Sequence, residues 1–279
     1  MHLDLRRRVM ISKSAILRVR APAVAGSFYP RSAETLRRTV DNLLAAAAIE
    51  KRPRRCGVIA PHAGYVYSGS VAAEAFASVR SLPGRIERAI VIGPAHFVAF
   101  RGIAAPSDTA FTTPLGEVPV DVAAVEALSE ETLVAINDGP HVPEHALEVE
   151  LPFLQAIFGN LPIVPLLVGS TSAGAVAAAI ARVWTDGTLL VVSTDLSHFE
   201  DYEAACRHDA RTAAAIEGFE EAAIGPSDAC GHLAIRGALT EAARRGLEVE
   251  RLALCNSGDT AGARQSVVGY GAWAFHEPP

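Results

Sequence analysis

The sequence from residue 57 to residue 64 reads Gly57-Val58-Ile59-Ala60-Pro61-His62-Ala63-Gly64. Its apolar first half predicts a short buried strand, and its second half predicts a turn that carries a histidine. The same pattern, an apolar strand followed by a polar turn with a histidine, recurs twice and ends at His96 and His198. Because ligands bind at the carboxyl ends of strands in open α/β sheets, we expect the three histidines to face one crevice. They predict a shared metal or acid–base centre.

Apolar strands alternate with helical patterns along most of the chain, including a helix predicted at residues 70–80. This alternation predicts an α/β fold with three layers, α/β/α. Residues 97–121 interrupt the alternation, and their prolines and glycines predict an excursion with a hairpin. The last two strands, at residues 249–254 and 266–275, can pair antiparallel. The central sheet is therefore expected to be mixed but mostly parallel.

Composition limits the possible classes of protein. A length of 279 residues fits one large α/β domain, and a hydrophobic content of 50% is enough for a sizeable core. The net charge of −6 argues against a dedicated nucleic-acid binder, which carries a basic face. No apolar run approaches the roughly 18 residues of a membrane span. Residues 1–20 are basic and lack the features of a signal peptide, so we expect a flexible tail followed by one domain at residues 21–279.

Four cysteines occur without a CxxC spacing: Cys56, Cys206, Cys230 and Cys255. They are expected to be free thiols in a reducing cytoplasm. Cys230 differs from the others because it precedes a predicted helix, whose N-terminus would lower the pKa of the thiol and favour the metal-binding thiolate. The alternative for Cys230 is a small buried hydrophobic side chain.

Two further residues lie close to the histidine turns in the sequence. Asp195 comes three residues before His198 and can be a metal ligand or can orient an imidazole. Tyr65 follows the His62 turn, and it can either present its hydroxyl to a substrate or pack in the core.

A charged group lies on a helix predicted from residue 143. Glu144 and Glu148 share a face of that helix, and such charges usually face solvent. His145 and Glu148 also have a spacing that can bind a metal, but helical di-metal sites need further carboxylates that the sequence does not identify. Glu144 and His145 are therefore predicted to lie at the rim of the pocket.

The motifs of several other enzyme classes are absent from the sequence. There is no phosphate-binding GxxxxGK[ST] motif, and no GxGxxG motif follows a strand. There is also no GxSxG nucleophile elbow.

A set of ordered motifs resembles the Memo family, which is also the B component of the AmmeMemoRadiSam gene cluster. The motifs are Pro22-Ala23-Val24-Ala25-Gly26-Ser27-Phe28-Tyr29-Pro30, Pro61-His62-Ala63-Gly64-Tyr65, Gly93-Pro94-Ala95-His96, Glu144-His145-Ala146-Leu147-Glu148-Val149-Glu150-Leu151-Pro152-Phe153-Leu154, Ser193-Thr194-Asp195-Leu196-Ser197-His198-Phe199 and Cys230-Gly231. The resemblance runs from about Pro22 to the C-terminus.

The resemblance implies the fold of class III extradiol dioxygenases, which hold ferrous iron with two histidines and a carboxylate. Memo-like proteins have a cysteine in place of the carboxylate. By this resemblance His62, His96 and Cys230 are the expected metal ligands, His198 is the expected acid–base residue and Asp195 lies close to it. Two imidazoles and a thiolate suit iron, copper or zinc.

The expected function is a metal-dependent oxidoreductase that acts on an unknown small substrate, with Tyr65, Glu144 and His145 shaping the substrate pocket. One alternative is a metal- or peptide-binding module without turnover, in signalling or metal handling. A second alternative is zinc-dependent hydrolysis, because three protein ligands and a water form a hydrolytic site. The resemblance implies a radical SAM protein and an AMMECR-type protein as partners.

Overall fold

The computed structural model of the protein describes residues 18–48, 55–82 and 86–278. The helices are α1 (Ala33–Ala46), α2 (Tyr65–Ser78), α3 (Val122–Glu130), α4 (Asp138–His141), α5 (Leu151–Phe158), α6 (Ala173–Val183), α7 (Tyr202–Glu217) and α8 (His232–Arg244). The strands are β1 (Val19–Arg20), β2 (Arg55–Ala60), β3 (Arg88–Pro94), β4 (Ile103–Ala105), β5 (Ala110–Thr113), β6 (Gly116–Pro119), β7 (Ala135–Ile136), β8 (Ile163–Val168), β9 (Thr188–Ser193), β10 (His198–Glu200), β11 (Glu248–Asn256) and β12 (Val267–His276). Single turns of 3-10 helix lie at Glu148–Glu150, Glu221–Ala223 and Ser257–Asp259.

A large mixed sheet forms the middle of the molecule. Its strands lie in the order β10-β12-β2-β9-β3-β8-β4-β7, and β11 also pairs with β12. The central strands β2, β9, β3 and β8 are parallel, whereas β12 and β4 join them antiparallel on either side. The central strands are continuous apolar runs buried on both faces, as parallel strands covered by helices are. The predicted mixed sheet is confirmed.

Helices flank this sheet in two groups. One group consists of α1, α2 and α5, with α2 against β2 and β12. The other group contains α3, α6 and α8, with α8 against β3 and β9. In α1 the buried stripe is Leu36, Val40 and Leu44, and the side chain of Ser32 caps the helix by accepting a hydrogen bond from the backbone of Thr35. The predicted α/β/α architecture is confirmed.

Strands β2, β9 and β3 end at the same edge of the sheet. Ala60 at the end of β2 pairs with Ser193 at the end of β9, and Ile92 of β3 pairs with Val192 of β9. The turns that follow these strands therefore lie side by side. The predicted crevice is at this edge because parallel strands present their carboxyl ends together.

A second, smaller sheet has the order β1-β5-β6. Its antiparallel pair β5–β6 is the hairpin predicted within residues 97–121. β1 adds to β5 in parallel, and the side chain of Arg20 is buried. Residues 18–20 therefore belong to the fold, which corrects the predicted start of the domain at residue 21. Residues 1–17, predicted as a flexible tail, lie outside the described residues.

Two predicted helix positions are wrong. α2 begins at Tyr65, directly after Gly64, and not near residue 70. The helix predicted from residue 143 is instead a series of turns that leads into the 3-10 turn at Glu148–Glu150 and then into α5. Polar side chains in this irregular segment can fold inwards, whereas on a regular surface helix they would face solvent.

The four cysteines are free thiols, as predicted. Within residues 18–48, 55–82 and 86–278, none of the helices combines the length and the apolar character that crossing a bilayer requires.

Candidate metal centre

Three histidines come together at the carboxyl edge of the sheet. His62 follows β2, His96 follows β3, and His145 lies in the turns before α5. Their candidate ligand nitrogens all lie within 4.8 Å of one another. His62 is buried, His96 is exposed and His145 is intermediate, so one side of the cluster is accessible. His145, predicted at the rim of the pocket, lies within the cluster itself.

The ring of His62 is held in place by the hydroxyl of Ser193. Its Nδ1 lies 2.8 Å from the hydroxyl oxygen of Ser193, and that hydroxyl donates to the carbonyl of Ala146 at 2.6 Å. With the serine hydrogen directed at the carbonyl, Nδ1–H of His62 donates to the serine oxygen and Nε2 keeps its lone pair. Burial, followed by the neighbouring histidines, holds the pKa of His62 well below its usual value, so its imidazole is neutral.

The ring of His96 is held by a carboxylate. Its Nδ1 lies 2.8 Å from Oε1 of Glu144, and the other carboxylate oxygen accepts from the His96 backbone amide. Glu144 also accepts from the amides of His145 and Ala146. Burial alone would raise the pKa of Glu144, but its hydrogen bonds with His96 outweigh that effect and lower it. A carboxylate that accepts a hydrogen bond from a histidine is the common arrangement for a metal ligand, and it leaves the lone pair on Nε2 of His96 free to bind a metal.

Cys230 lies beside His62, although it is not a member of the cluster formed by His62, His96 and His145. Its Sγ lies 3.4 Å from Nε2 of His62 and accepts a hydrogen bond from the Asp195 amide at 3.3 Å. In a tetrahedral site with metal–nitrogen and metal–sulfur distances of about 2.1 and 2.3 Å, the two donor atoms are about 3.6 Å apart. The observed separation of Sγ and Nε2 therefore fits two ligands of one ion.

The acidity of Cys230 differs from the sequence-based expectation. Burial and the charge of Asp195 raise the pKa of the thiol to about 12, whereas a helix N-terminus was expected to lower it. Cys230 precedes the first residue of α8 by two positions, and desolvation exceeds the weak field of the helix there. The thiol is therefore neutral in the metal-free protein, and a bound metal would displace its proton.

Asp195 lies beneath the His62 turn. Its Oδ1 accepts a hydrogen bond from the backbone amide of His62 at 2.9 Å, and the carboxyl group is almost fully buried. Burial raises the pKa of Asp195 to about 7 despite this hydrogen bond. In the structure, Asp195 therefore fixes the position of the turn that carries His62.

His198 lines an open cavity of about 460 Å³ beside the cluster, together with His145 and Asp195. Desolvation, with a smaller contribution from the charge of His96, lowers the pKa of His198, so the imidazole can accept a proton at neutral pH. A second cavity, of about 410 Å³, has Cys230 in its lining and is mainly apolar. One cavity is therefore lined by His145 of the cluster, and the other is lined by Cys230.

Tyr65 does not present its hydroxyl to the cavity, as a substrate-binding role would require. Its hydroxyl donates to the carbonyl of Val149 at 2.7 Å, and its ring packs against Tyr29 and Phe153. The ring is buried, and the described lining of the His198 cavity contains Tyr67 instead. The core alternative for Tyr65 is the one that the structure supports.

Glu148 anchors the segment that carries His145. Its carboxylate pairs with Arg20 at 2.7 Å and accepts from the backbone amides of Ala23 and Val24 and from the hydroxyl of Tyr29. The sequence interpretation missed this anchor and the support of His62 by Ser193. A buried Arg–Glu pair joining residues 128 positions apart leaves no local pattern in the sequence.

The chain is similar to known proteins over most of its length. A family model described as Memo-like protein matches residues 20–274. The chain is 33% identical to a MEMO1 family protein of Thermotoga maritima, over 90% of this chain and 97% of that protein. It is 34% identical to a MEMO1 family protein of Aeropyrum pernix, over 92% and 99% of the two chains.

Among solved structures, an uncharacterized protein JW3007 from Escherichia coli K12 shares the fold with a TM-score of 0.54. The match covers 79% of this chain and 99% of that one at 13% sequence identity, so it bears on the fold alone. The family model and the relatives span the motifs that position the histidine cluster. The chain belongs to the Memo family.

Proposed function

We propose that this protein is a metal-dependent oxidoreductase acting on a small substrate, with His62, His96 and Cys230 as metal ligands. The observation that carries the proposal is the orientation of two imidazoles. Each has its Nδ1 engaged by the protein, through Ser193 for His62 and through Glu144 for His96. Each therefore keeps the lone pair on Nε2 for binding a metal, and the Nε2 of His62 lies next to the sulfur of Cys230.

His145 is a fourth candidate donor. Burial lowers the pKa of His145 to about 4, so its imidazole is neutral and retains a lone pair. Four protein donors would fill a tetrahedral ion, whereas three leave a position for substrate. We therefore assign His145 to the substrate side of the centre, where it lines the same cavity as His198.

Iron or copper on this donor set would supply Lewis acidity and redox chemistry to a substrate held in the cavity. The protein's own contribution is to orient the substrate and move its proton. His198, neutral at pH 7, would accept a proton from a hydroxyl group of a substrate in the cavity of about 460 Å³. Asp195 would keep the His62 turn in position throughout.

The test is the metal content and the visible spectrum of protein purified without oxygen. We expect near-stoichiometric iron or copper and a thiolate-to-metal absorption band. His62→Ala should lose the metal, and Cys230→Ser should lose the band, whereas His145→Ala should retain both. Cys255→Ser is the matched control, since Cys255 is a free thiol on β11 and lies outside the cluster.

Three outcomes would overturn the proposal or its ligand assignment. Colourless protein with stoichiometric zinc would favour the hydrolytic alternative. No metal after anaerobic reconstitution with iron, copper or zinc would favour a binding module without turnover. Retention of metal by His62→Ala with an intact fold would contradict the ligand assignment.

The proposal extends to a radical SAM protein and an AMMECR-type protein as partners, supported by the resemblance of the motifs alone. Co-purification of either with the tagged protein, beside an empty-tag control, tests this part separately from the metal assay.

A further inference from the structure

Glu150 is a fully buried carboxyl group beneath the histidine cluster. It lies at the end of the 3-10 turn before α5, and its Oε1 is 2.8 Å from the hydroxyl oxygen of Ser193. Its Oε2 is also buried and has no hydrogen-bond partner among the described residues. A buried carboxylate normally has a cation or several donors around it, so this environment calls for a physical explanation.

The hydrogen atoms around Ser193 can be counted. Among the described residues, three groups lie within hydrogen-bond distance of its oxygen: the carbonyl of Ala146 at 2.6 Å, Oε1 of Glu150 at 2.8 Å and Nδ1 of His62 at 2.8 Å. The serine hydroxyl has one hydrogen to donate and two lone pairs to accept with. The carbonyl can only accept, so it receives the serine hydrogen. The other two groups must then each supply a hydrogen.

His62 supplies its hydrogen from Nδ1. Glu150 can supply one only as a carboxylic acid, since an ionised carboxylate is an acceptor at both oxygens. If Glu150 were ionised, the single serine hydrogen would have to serve both its carboxylate and the Ala146 carbonyl, which leaves one buried acceptor unpaired.

We propose that Glu150 is a neutral carboxylic acid at pH 7 and a positioning residue for His62, acting through Ser193. By donating to Ser193, the acid directs the serine hydrogen to Ala146 and leaves the serine oxygen to accept from Nδ1–H of His62. Nε2 of His62 is thereby kept unprotonated. The role towards a metal rests on the proposed function, whereas the protonation states do not.

The charge balance of the buried layer agrees with this assignment. Burial, reinforced by the nearby charge of Asp195, raises the pKa of Glu150 well above its usual value, and the hydrogen bond that an ionised Glu150 could accept from Ser193 is too weak to reverse that effect. A buried negative charge at this position would also favour the imidazolium form of His62, which cannot bind a metal. A neutral acid supplies a hydrogen bond without that charge.

The first experiment tests the protonation state in metal-free protein by infrared difference spectroscopy at pH 7. We expect a carboxylic acid carbonyl band that shifts in D₂O and disappears in Glu150→Gln. Glu241→Gln is the matched control, because Glu241 is also buried but is ionised by its contacts with Arg244 and Arg245. If the spectrum of Glu150→Gln lacks none of the acid bands of the wild type, the inference is refuted.

The second experiment tests the positioning role with Co²⁺ as the probe and with ¹⁵N NMR of the histidine rings in the metal-free protein. Glu150→Gln keeps an N–H donor for Ser193, so it should retain the Nδ1–H tautomer of His62 and its affinity for Co²⁺. Glu150→Leu removes the donor, and we expect a loss of roughly 10- to 100-fold in Co²⁺ affinity together with a mixture of His62 tautomers.

The outcomes separate this inference from the proposed function. If wild-type protein shows the acid band and the Nδ1–H tautomer but binds no metal, the protonation states stand and the metal proposal fails. If Glu150→Leu keeps the wild-type tautomer and Co²⁺ affinity, the positioning role is refuted. If Glu150→Leu does not fold, the infrared result still decides the protonation state, and loss of the Nδ1–H tautomer of His62 or of Co²⁺ affinity in Glu150→Gln would refute the positioning role.

Discussion

Replacement of Arg20 by methionine should strongly destabilise the protein. The guanidinium of Arg20 pairs with Glu148 at 2.7 Å, and its remaining nitrogens donate to the carbonyls of His141 and Glu144. The exposed fractions of the Arg20 and Glu148 side chains are 4% and 0%. Methionine keeps the aliphatic packing but removes every one of these contacts. The carboxylate of Glu148 would be left buried without its cation.

The magnitude follows from the burial of the pair. Removal of one partner of a buried ion pair costs about 3–5 kcal/mol of stability, because the remaining charge is uncompensated. For a chain of this size each kcal/mol lowers the melting temperature by about 2–4 °C, so Arg20→Met should lower it by roughly 6–20 °C. The free energy of unfolding, measured in urea at pH 7, should fall by the same 3–5 kcal/mol, to within about 1 kcal/mol.

Arg18→Met is the matched control because Arg18 lies two residues away. Arg18 pairs with Asp138 at 3.3 Å, but 58% of its side chain and 35% of that of Asp138 are exposed. An exposed pair of this kind contributes about 0.2–1 kcal/mol. If the two variants lose similar amounts, or if Arg20→Met loses less than about 1 kcal/mol, the reasoning from burial is refuted.

Two further predictions concern the region between His198 and α8. The nitrogens of His208 lie 2.7 Å from carboxylates of Glu200 and Asp228, which raise its pKa although desolvation opposes them. The resulting stabilisation is complete below the unfolded pKa of about 6.5 and is lost as pH rises through the raised folded pKa. In His208→Gln, the free energy of unfolding in urea should lack this fall as pH rises. A pH profile identical to that of the wild type would contradict the prediction. Phe199 has a φ of 62° and is 78% exposed, so Phe199→Gly should relieve strain and stabilise the fold by about 1 kcal/mol. A lower melting temperature for Phe199→Gly would show that the ring packs usefully in solution.

The position of the site could be predicted from the sequence for a simple geometric reason. Strands that are buried on both faces have continuous apolar patterns, and each of the three patterns ends in a polar turn with a histidine. Once the strands are parallel and adjacent, their ends must meet at one edge. The positions of His62 and His96 therefore follow from the pattern alone. The alternation also predicts the layers of helices around the sheet.

The partners of these histidines could not be predicted in the same way. Glu144 is 48 residues from His96 in the sequence, and Ser193 is 131 residues from His62. No periodicity connects such pairs, because they are brought together by the sheet and not by a local element. The charged residues at 143–150 have the spacing of a helix, so the sequence predicts a helix there, with Glu144 at the pocket rim, where the structure has turns and a buried Glu144.

The three acidic residues of this segment illustrate why charge state needs tertiary structure. Glu144, Glu148 and Glu150 lie within seven residues of one another, and all three are buried. Glu144 is ionised by its contacts with His96, and Glu148 pairs with Arg20. Glu150 faces only the hydroxyl of Ser193 among the described hydrogen-bond partners, and a carboxylate there would lack compensation. Identical side chains would thus have three roles. The carboxylate of Glu144 supports the imidazole of His96, that of Glu148 anchors the segment, and Glu150 as a neutral hydrogen-bond donor supports the imidazole of His62. Because each state is set by a residue distant in the sequence, substitution of the partner should change the chemistry of the acid without any change in the segment itself.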